Sequence, residues 1–181
     1  KRIEQAIELV RRLDLPAVLL ISHASGDEGT EYEAYLRNYA EFMDASVIFA
    51  GDRINHVRGQ TADGAKIYSL ADVYQQADLV TYPSAIEGFG NAFLEAIYYR
   101  QPIVTHMYDV FKTDILTKGF EVIHFADYVD ETTIQAVRDL LRDEDVVSEM
   151  VERNFELGKR YYSYRTLEQR LVALLDDILG S

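Results

Sequence analysis

The chain predicts an α/β domain of three layers, a parallel sheet with helices on both faces, and three observations carry that expectation. Short apolar runs of strand length alternate with longer stretches whose apolar residues recur on one helical face. This alternation continues along most of the chain, which implies a parallel sheet packed on each side. With 181 residues and 48% apolar content, the chain has the size and composition of one domain with a proper core.

Taken in order, Ile3, Ala6, Ile7, Val10 and Leu13 share one face of a first helix. Ala17 to Ser22 reads as a strand, ended by the polar loop His23 to Gly29. Tyr32, Leu36, Tyr39 and Met43 form a second helical stripe, followed by a strand from Ser46 to Ala50. Gly51 to Lys66 is the least regular stretch, punctuated by Gly51, Gly59 and Gly64. A helix over Leu70 to Ala77 leads to a strand at Leu79 to Tyr82, closed by Pro83-Ser84. Then come a helix over Ala92 to Tyr99, a strand over Pro102 to Thr105 and a strand near Glu121 to His124. The remainder predicts helices over Glu131 to Arg142, Val146 to Lys159 and Arg165 to Ile178, the last with Leu167, Leu171, Leu174 and Ile178 spaced for burial.

Between a strand and a helix lies Glu87-Gly88-Phe89-Gly90-Asn91-Ala92-Phe93-Leu94-Glu95. A strand, a glycine-bearing loop and a helix N-terminus together make an anion site, because the first N–H groups of a helix lack internal partners and the dipole favours negative charge there. Gly88 and Gly90 have no Cβ, so a phosphate can approach the backbone closely. A carboxylate at each end suits hydroxyl groups flanking that phosphate. Glu87 is expected beside the cradle. Glu95 is expected about one turn inside the helix, where side chains lean back toward the N-terminus. One acid then faces a sugar and the other a ribose. The competing reading makes Glu87 a solvated loop acid and Glu95 a simple complement to the helix dipole.

The segment Glu87 to Ala96 resembles the E-x7-E signature of retaining glycosyltransferases of the GT-B fold, family 4 in particular. The approach to it, Val73-Tyr74-Gln75-Gln76-Ala77-Asp78-Leu79-Val80-Thr81-Tyr82-Pro83-Ser84, is similar to the family's as well. Laid on that family, Lys1 to Ile178 corresponds to the C-terminal, donor-binding domain. The resemblance implies a nucleotide-diphosphate sugar (UDP-, GDP- or ADP-linked) as donor and no required cofactor. It also implies an N-terminal acceptor domain, absent from this chain, as the other wall of the cleft. It makes Glu87 and Lys1 the catalytic residues. The donor contacts are then Lys1, Ser25, Gly26, Glu87, Gly88, Phe89, Gly90, Asn91 and Glu95.

Lys1 corresponds to the family lysine that meets the diphosphate, although a frayed terminal lysine is an equal reading. The strand and arginine that precede it in the family have no counterpart here. Ser25 and Gly26 lie in a segment, His23 to Asp27, that resembles the family's cleft-facing loop; a polar surface loop is the alternative. The family's base-contacting segment corresponds to Lys66 to Ser69. Where many members carry Gly-Gly over the sugar phosphate, this chain has His106-Met107-Tyr108-Asp109. The motif's form resembles members acting on small acceptors such as sugar phosphates and glycerate derivatives.

Composition narrows the rest. A net charge of −13 is the wrong sign for nucleic acid or a polybasic membrane patch. The absence of cysteine excludes disulfides and thiolate metal sites, consistent with a cytoplasmic setting. No run approaches the length of a membrane span, and no metal cluster has ligand spacing. The sole D-x-D, Asp143-Glu144-Asp145, falls between helices, where acids cap. There is no G-x-G-x-x-G after the first strand and no G-x-S-x-G elbow. His56 and His124 read as structural, and Tyr161, Tyr162 and Tyr164 as packing at a helix junction. Two alternatives to a transferase remain, a sugar-nucleotide epimerase of GT-B architecture and a non-catalytic nucleotide-binding domain.

Overall fold

The computed structural model describes residues 1–22 and 29–180. The chain runs α1 (Ile3–Arg12), β1 (Leu19–Ile21), α2 (Gly29–Phe42), β2 (Val47–Phe49), β3 (Ile54–Asn55), β4 (Gly59–Gln60), β5 (Lys66–Ser69) and α3 (Leu70–Gln76). It continues with β6 (Val80–Tyr82), α4 (Asn91–Tyr98), β7 (Ile103–His106), β8 (Ile123–Phe125), α5 (Glu131–Leu141), α6 (Glu144–Tyr162) and α7 (Tyr164–Leu179). A π-helical turn, Phe111–Ile115, and a 3-10 turn, Leu116–Lys118, lie between β7 and β8. The predicted helices and strands are present within a few residues of their expected ends.

The best-formed sheet is parallel, in the order β6-β7-β8, with Thr81, Val104 and Ile123 in register. Its central strand β7 is buried along its whole length, as a parallel strand covered on both faces must be. Neighbouring residues there serve opposite cores. Ile103 packs with Phe93, Ala96 and Ile97 of α4, whereas Val104 packs with Leu9 of α1, with Leu13 that caps it, and with Ile134 and Val137 of α5.

A second parallel pair, β1-β2, aligns Leu19 with Val47 and Ile21 with Phe49. Leu19 and Ile21 face Ile3, Ala6 and Ile7 of α1 and Leu36 and Ala40 of α2. Helix α1 therefore lies across both sheets, its first half on β1 and its second half against β7 and β8. Its C-terminal end is tied to α5, since Arg138 donates to the carbonyls of Arg12 at 2.6 Å and Leu13 at 2.9 Å.

The parallel sheet is thus in two pieces, and among the described residues β1 pairs only with β2 and β6 only with β7. The irregular stretch after Gly51 holds a small mixed sheet, β3-β5-β4, in which β3 and β4 are two residues long, too short to show alternation.

The expected burial of α7 is not met. Leu167, Leu171, Leu174 and Ile178 are between 52% and 67% exposed, because among the described residues no element covers that stripe. By contrast, Tyr162 is half-buried, edge-on to Phe89 and stacked with Phe120, so part of the tyrosine group does pack at a junction. Tyr164 is exposed. Asp143 caps α6, its carboxylate accepting from the Val146 N–H at 3.1 Å.

Candidate donor site

Helix α4 starts where the sequence places it. Gly90 precedes it in the left-handed region, with φ of +88°, a conformation that glycine adopts without the penalty of a Cβ. A Cβ there would also meet the hydroxyls of Tyr108 at 2.7 Å and Tyr82 at 3.1 Å. Gly88 is different: a Cβ would touch nothing within 4 Å, so its backbone faces open space.

The N-terminus of α4 has no side-chain cap. The N-termini of α3, α5, α6 and α7 are capped by Ser69, Asp130, Asp143 and Ser163. The Phe93 N–H already serves the Gly90 carbonyl at 3.0 Å. The Asn91 and Ala92 N–H groups have no backbone partner among the described residues, and Asn91 is exposed. The caps of α3, α5, α6 and α7 each bond the third helical N–H, that of Asp72, Thr133, Val146 and Thr166; in α4 that group turns to the Gly90 carbonyl, and no side chain caps the helix end.

Lys1 and Glu87, 86 residues apart in sequence, meet here: the lysine Nζ lies 2.8 Å from Glu87 Oε1. The Tyr82 and Ser84 side chains lie beside Glu87 and favour its charged form, while the Ser84 hydroxyl donates to the Ile86 carbonyl at 3.3 Å. Partial burial raises its tendency to hold a proton, but Lys1, Ser84 and Tyr82 outweigh this and hold the carboxyl below the usual range. Glu87 is therefore a carboxylate at neutral pH, with its acceptor capacity partly used. Among the described residues no group of His, Asp and Glu side chains could hold a metal ion.

Glu95 lies one turn into α4 and is half-buried. Its Oε2 accepts from the Tyr74 hydroxyl at 3.1 Å, and Tyr74 stacks on Tyr99 with ring centroids 5.0 Å apart. Burial and the neighbouring carboxylate push the Tyr74 phenol well above its ordinary value, so it remains a donor to Glu95. Helix α3, which carries Tyr74, is held by a capping box between Ser69 and Asp72. The segment expected to contact a base, Lys66 to Ser69, is β5 and the cap of that helix.

The structure thus brings Lys1, Glu87, Gly88, Phe89, Gly90 and Asn91 to one loop, with Glu95 one helical turn deeper. Ser25 and Gly26 lie outside the described residues. Sequence reasoning missed Tyr82 and Tyr108, whose hydroxyls close on the loop from the ends of two strands. Tyr108 donates to the Phe89 carbonyl at 3.1 Å. The departure from Gly-Gly at 106–109 was the signal that a different group fills this place.

Comparison with known proteins follows the same lines. The family described as "Glycosyl transferases group 1" matches residues 64–157. A mannosylglucosylglycerate synthase of Thermotoga maritima is 36% identical over 85% of this chain and 36% of its own length. A poly(glycerol-phosphate) alpha-glucosyltransferase of Bacillus subtilis is 30% identical over 56% of this chain and 15% of its own. The chain spans about a third of the first of these relatives. Among solved structures, WaaG, a glycosyltransferase involved in lipopolysaccharide biosynthesis, superposes with a TM-score of 0.62 at 17% identity, over all of this chain and 44% of WaaG. The C-terminal domain of LpcC, a glycosyl transferase group 1 family protein of Francisella tularensis, gives 0.59 at 19% identity, over 90% of this chain and 77% of that one.

Proposed function

We propose, since the chain belongs to the glycosyl transferases group 1 family, that it is the donor-binding domain of a retaining hexosyltransferase of family 4. Its donor is a nucleotide-diphosphate sugar. The observation that carries this reading is the pairing of an uncapped α4 N-terminus with Lys1 and Glu87 at its mouth. The N–H groups of Asn91 and Ala92 suit the diphosphate, and Lys1 adds a cation beside them. Glu87 takes hydroxyls of the sugar and Glu95 those of the ribose. Ser25 and Gly26 complete the cleft on the side of the first strand.

In transfer, the diphosphate departs from the face on which the acceptor hydroxyl attacks. Lys1 and the helix N–H groups stabilise the leaving charge, a contribution on the order of several kcal/mol in a preorganised site. No metal ion is needed, since protein cations and helix dipole neutralise the diphosphate. The acceptor is held by an N-terminal domain of the same enzyme. A strand and an arginine preceding Lys1 complete the sheet and the donor site. The names of two relatives suggest an acceptor bearing a glycerate or glycerol-phosphate unit. Residues 1–181 alone should not transfer sugar, because aligning two substrates lowers a barrier by ~7–11 kcal/mol and one wall of a cleft does not align them. With no helix of the described residues long and apolar enough to cross a membrane, we place the reaction in the cytoplasm.

The test is binding. UDP, GDP and ADP, and their glucose and mannose esters, are titrated against the chain and against Glu87→Ala and Glu95→Ala. Loss of the ribose contact in Glu95→Ala should weaken free nucleotide and nucleotide-sugar alike. Glu87→Ala should spare free nucleotide and lower the preference for the sugar-bearing form. If no ligand of the panel binds or raises the melting temperature, the donor reading fails.

A further inference from the structure

The loop that carries the donor site has almost no backbone support of its own. From residue 83 to 89 it makes no backbone–backbone hydrogen bond with any described residue; support resumes at the Gly90 carbonyl, which starts α4. Backbone polar groups set the shape of most ordered segments. Here side chains set it instead, and two of them are tyrosines at the carboxyl ends of neighbouring strands. Tyr82 ends β6, and Tyr108 follows β7 by two residues.

Tyr108 is fully buried and donates to the Phe89 carbonyl at 3.1 Å. Tyr82 lies beside the Glu87 carboxylate. The two rings meet edge to face with centroids 5.9 Å apart, so each limits the movement of the other. Between their hydroxyls lies Gly90, at distances that leave no space for a Cβ. Burial and the Glu87 charge push the Tyr108 phenol up to about 12 and the Tyr82 phenol higher still, so both stay protonated donors at neutral pH. Thr105 of β7, in register with Tyr82, donates to the Tyr82 carbonyl at 3.1 Å and fixes the origin of that side chain.

We propose that Tyr108 is the positioning residue of this site: its hydroxyl pins the Phe89 peptide and thereby the glycine turn, and the Tyr82 ring, edge to face with it, holds it in place. The hydroxyl does not contact the donor; it acts through the loop. Tyr108 lies in the segment where many members of the family carry Gly-Gly, so this chain sets a phenol clamp there. The proposal rests on the donor-site reading for its consequence in binding, but not for its consequence in the loop.

The experiment separates the two. Tyr108→Phe keeps the ring and removes the hydroxyl, with Tyr128→Phe as an exposed control. Backbone amide order parameters are followed over residues 84–92, and the same nucleotide panel is titrated. Tyr108→Phe should lower the order parameters of residues 88–91 and leave β7 and α5 as in the wild type. It should also weaken free nucleotide and nucleotide-sugar together by about tenfold, the scale of one lost hydrogen bond. Unchanged order in the loop, or a loss of order spread evenly over the domain, overturns the proposal. If the wild type binds no ligand but the loop responds as stated, the donor reading falls and the clamp stands. If the wild type binds and Tyr108→Phe binds with unchanged affinity, the donor reading stands and the clamp falls.

Discussion

The two parallel sheets are built from similar sequence and finished differently. In the sheet β6-β7-β8 the central strand is covered on both faces, Ile103 by α4 and Val104 by α1 and α5. In β1-β2 one face is covered by α1 and α2, while Leu20 and Ile48, paired in register on the other, are 41% and 51% exposed. The candidate site stands on the first of these. A loop without a backbone ladder keeps its shape only when its anchors are rigid, and Tyr82, Tyr108 and Glu95 all rise from elements packed on that covered sheet. The comparison teaches where precision comes from in this domain: the glycine turn is ordered by what lies under it.

The largest effects should therefore come from the core beneath α4. Phe93 is fully buried and meets Phe111 and Phe120 edge-on. Phe93→Ala should cost about 3–5 kcal/mol, read by urea denaturation, and should abolish nucleotide binding. A loss under 1 kcal/mol would mean that this half is no better packed than the other. Gly90→Ala should follow, with the left-handed backbone alone costing about 1–2 kcal/mol. Its Cβ would also force Tyr108 and Tyr82 away from the loop, so ligand affinity should fall by more than stability. Equal losses in the two measurements would detach the turn from the site.

A third effect is electrostatic. The Glu87 carboxyl is held below its ordinary value of 4.5 by Lys1, Ser84 and Tyr82. Its contribution is thus fully present above that value and is lost as pH falls through it, because the unfolded chain then takes up the proton more readily than the folded one. Denaturation midpoints measured from pH 7 to pH 3 should fall less steeply in Glu87→Gln than in the wild type. Coincident slopes would show that the ion pair with Lys1 is not maintained in solution.

Much of this was legible in the sequence, and the reasons are local. Strand-length apolar runs and 3.6-residue stripes placed the helices and the parallel strands, because burial of one face imposes that period. The loop from Glu87 to Asn91 was legible because glycine and helix-start chemistry have few substitutes. What stayed hidden depends on distance in sequence. Nothing in the pattern around Lys1 shows that it meets Glu87, and a tyrosine such as Tyr108 reads as core until a carbonyl is found against its hydroxyl. The small sheet after Gly51 was missed because its shortest strands, β3 and β4, are two residues long and show no alternation.

The spacing of α7 misled for a related reason. Periodicity reports that a helix has an apolar face, and does not report what covers it. Among the described residues nothing does: Leu171 and Leu174 are about half exposed, at the end of the chain furthest in sequence from the packed sheet. Leu171→Ala and Leu174→Ala should accordingly change the stability of the 181-residue chain by no more than about 0.5 kcal/mol, as for surface sites. Measured beside Phe93→Ala under the same conditions, this pair gives the comparison its lower limit. A loss of about 2 kcal/mol or more, the cost of opening a core, would show that the stripe is buried in solution. In that case α7 would have a packing partner that its contacts with α6 do not supply.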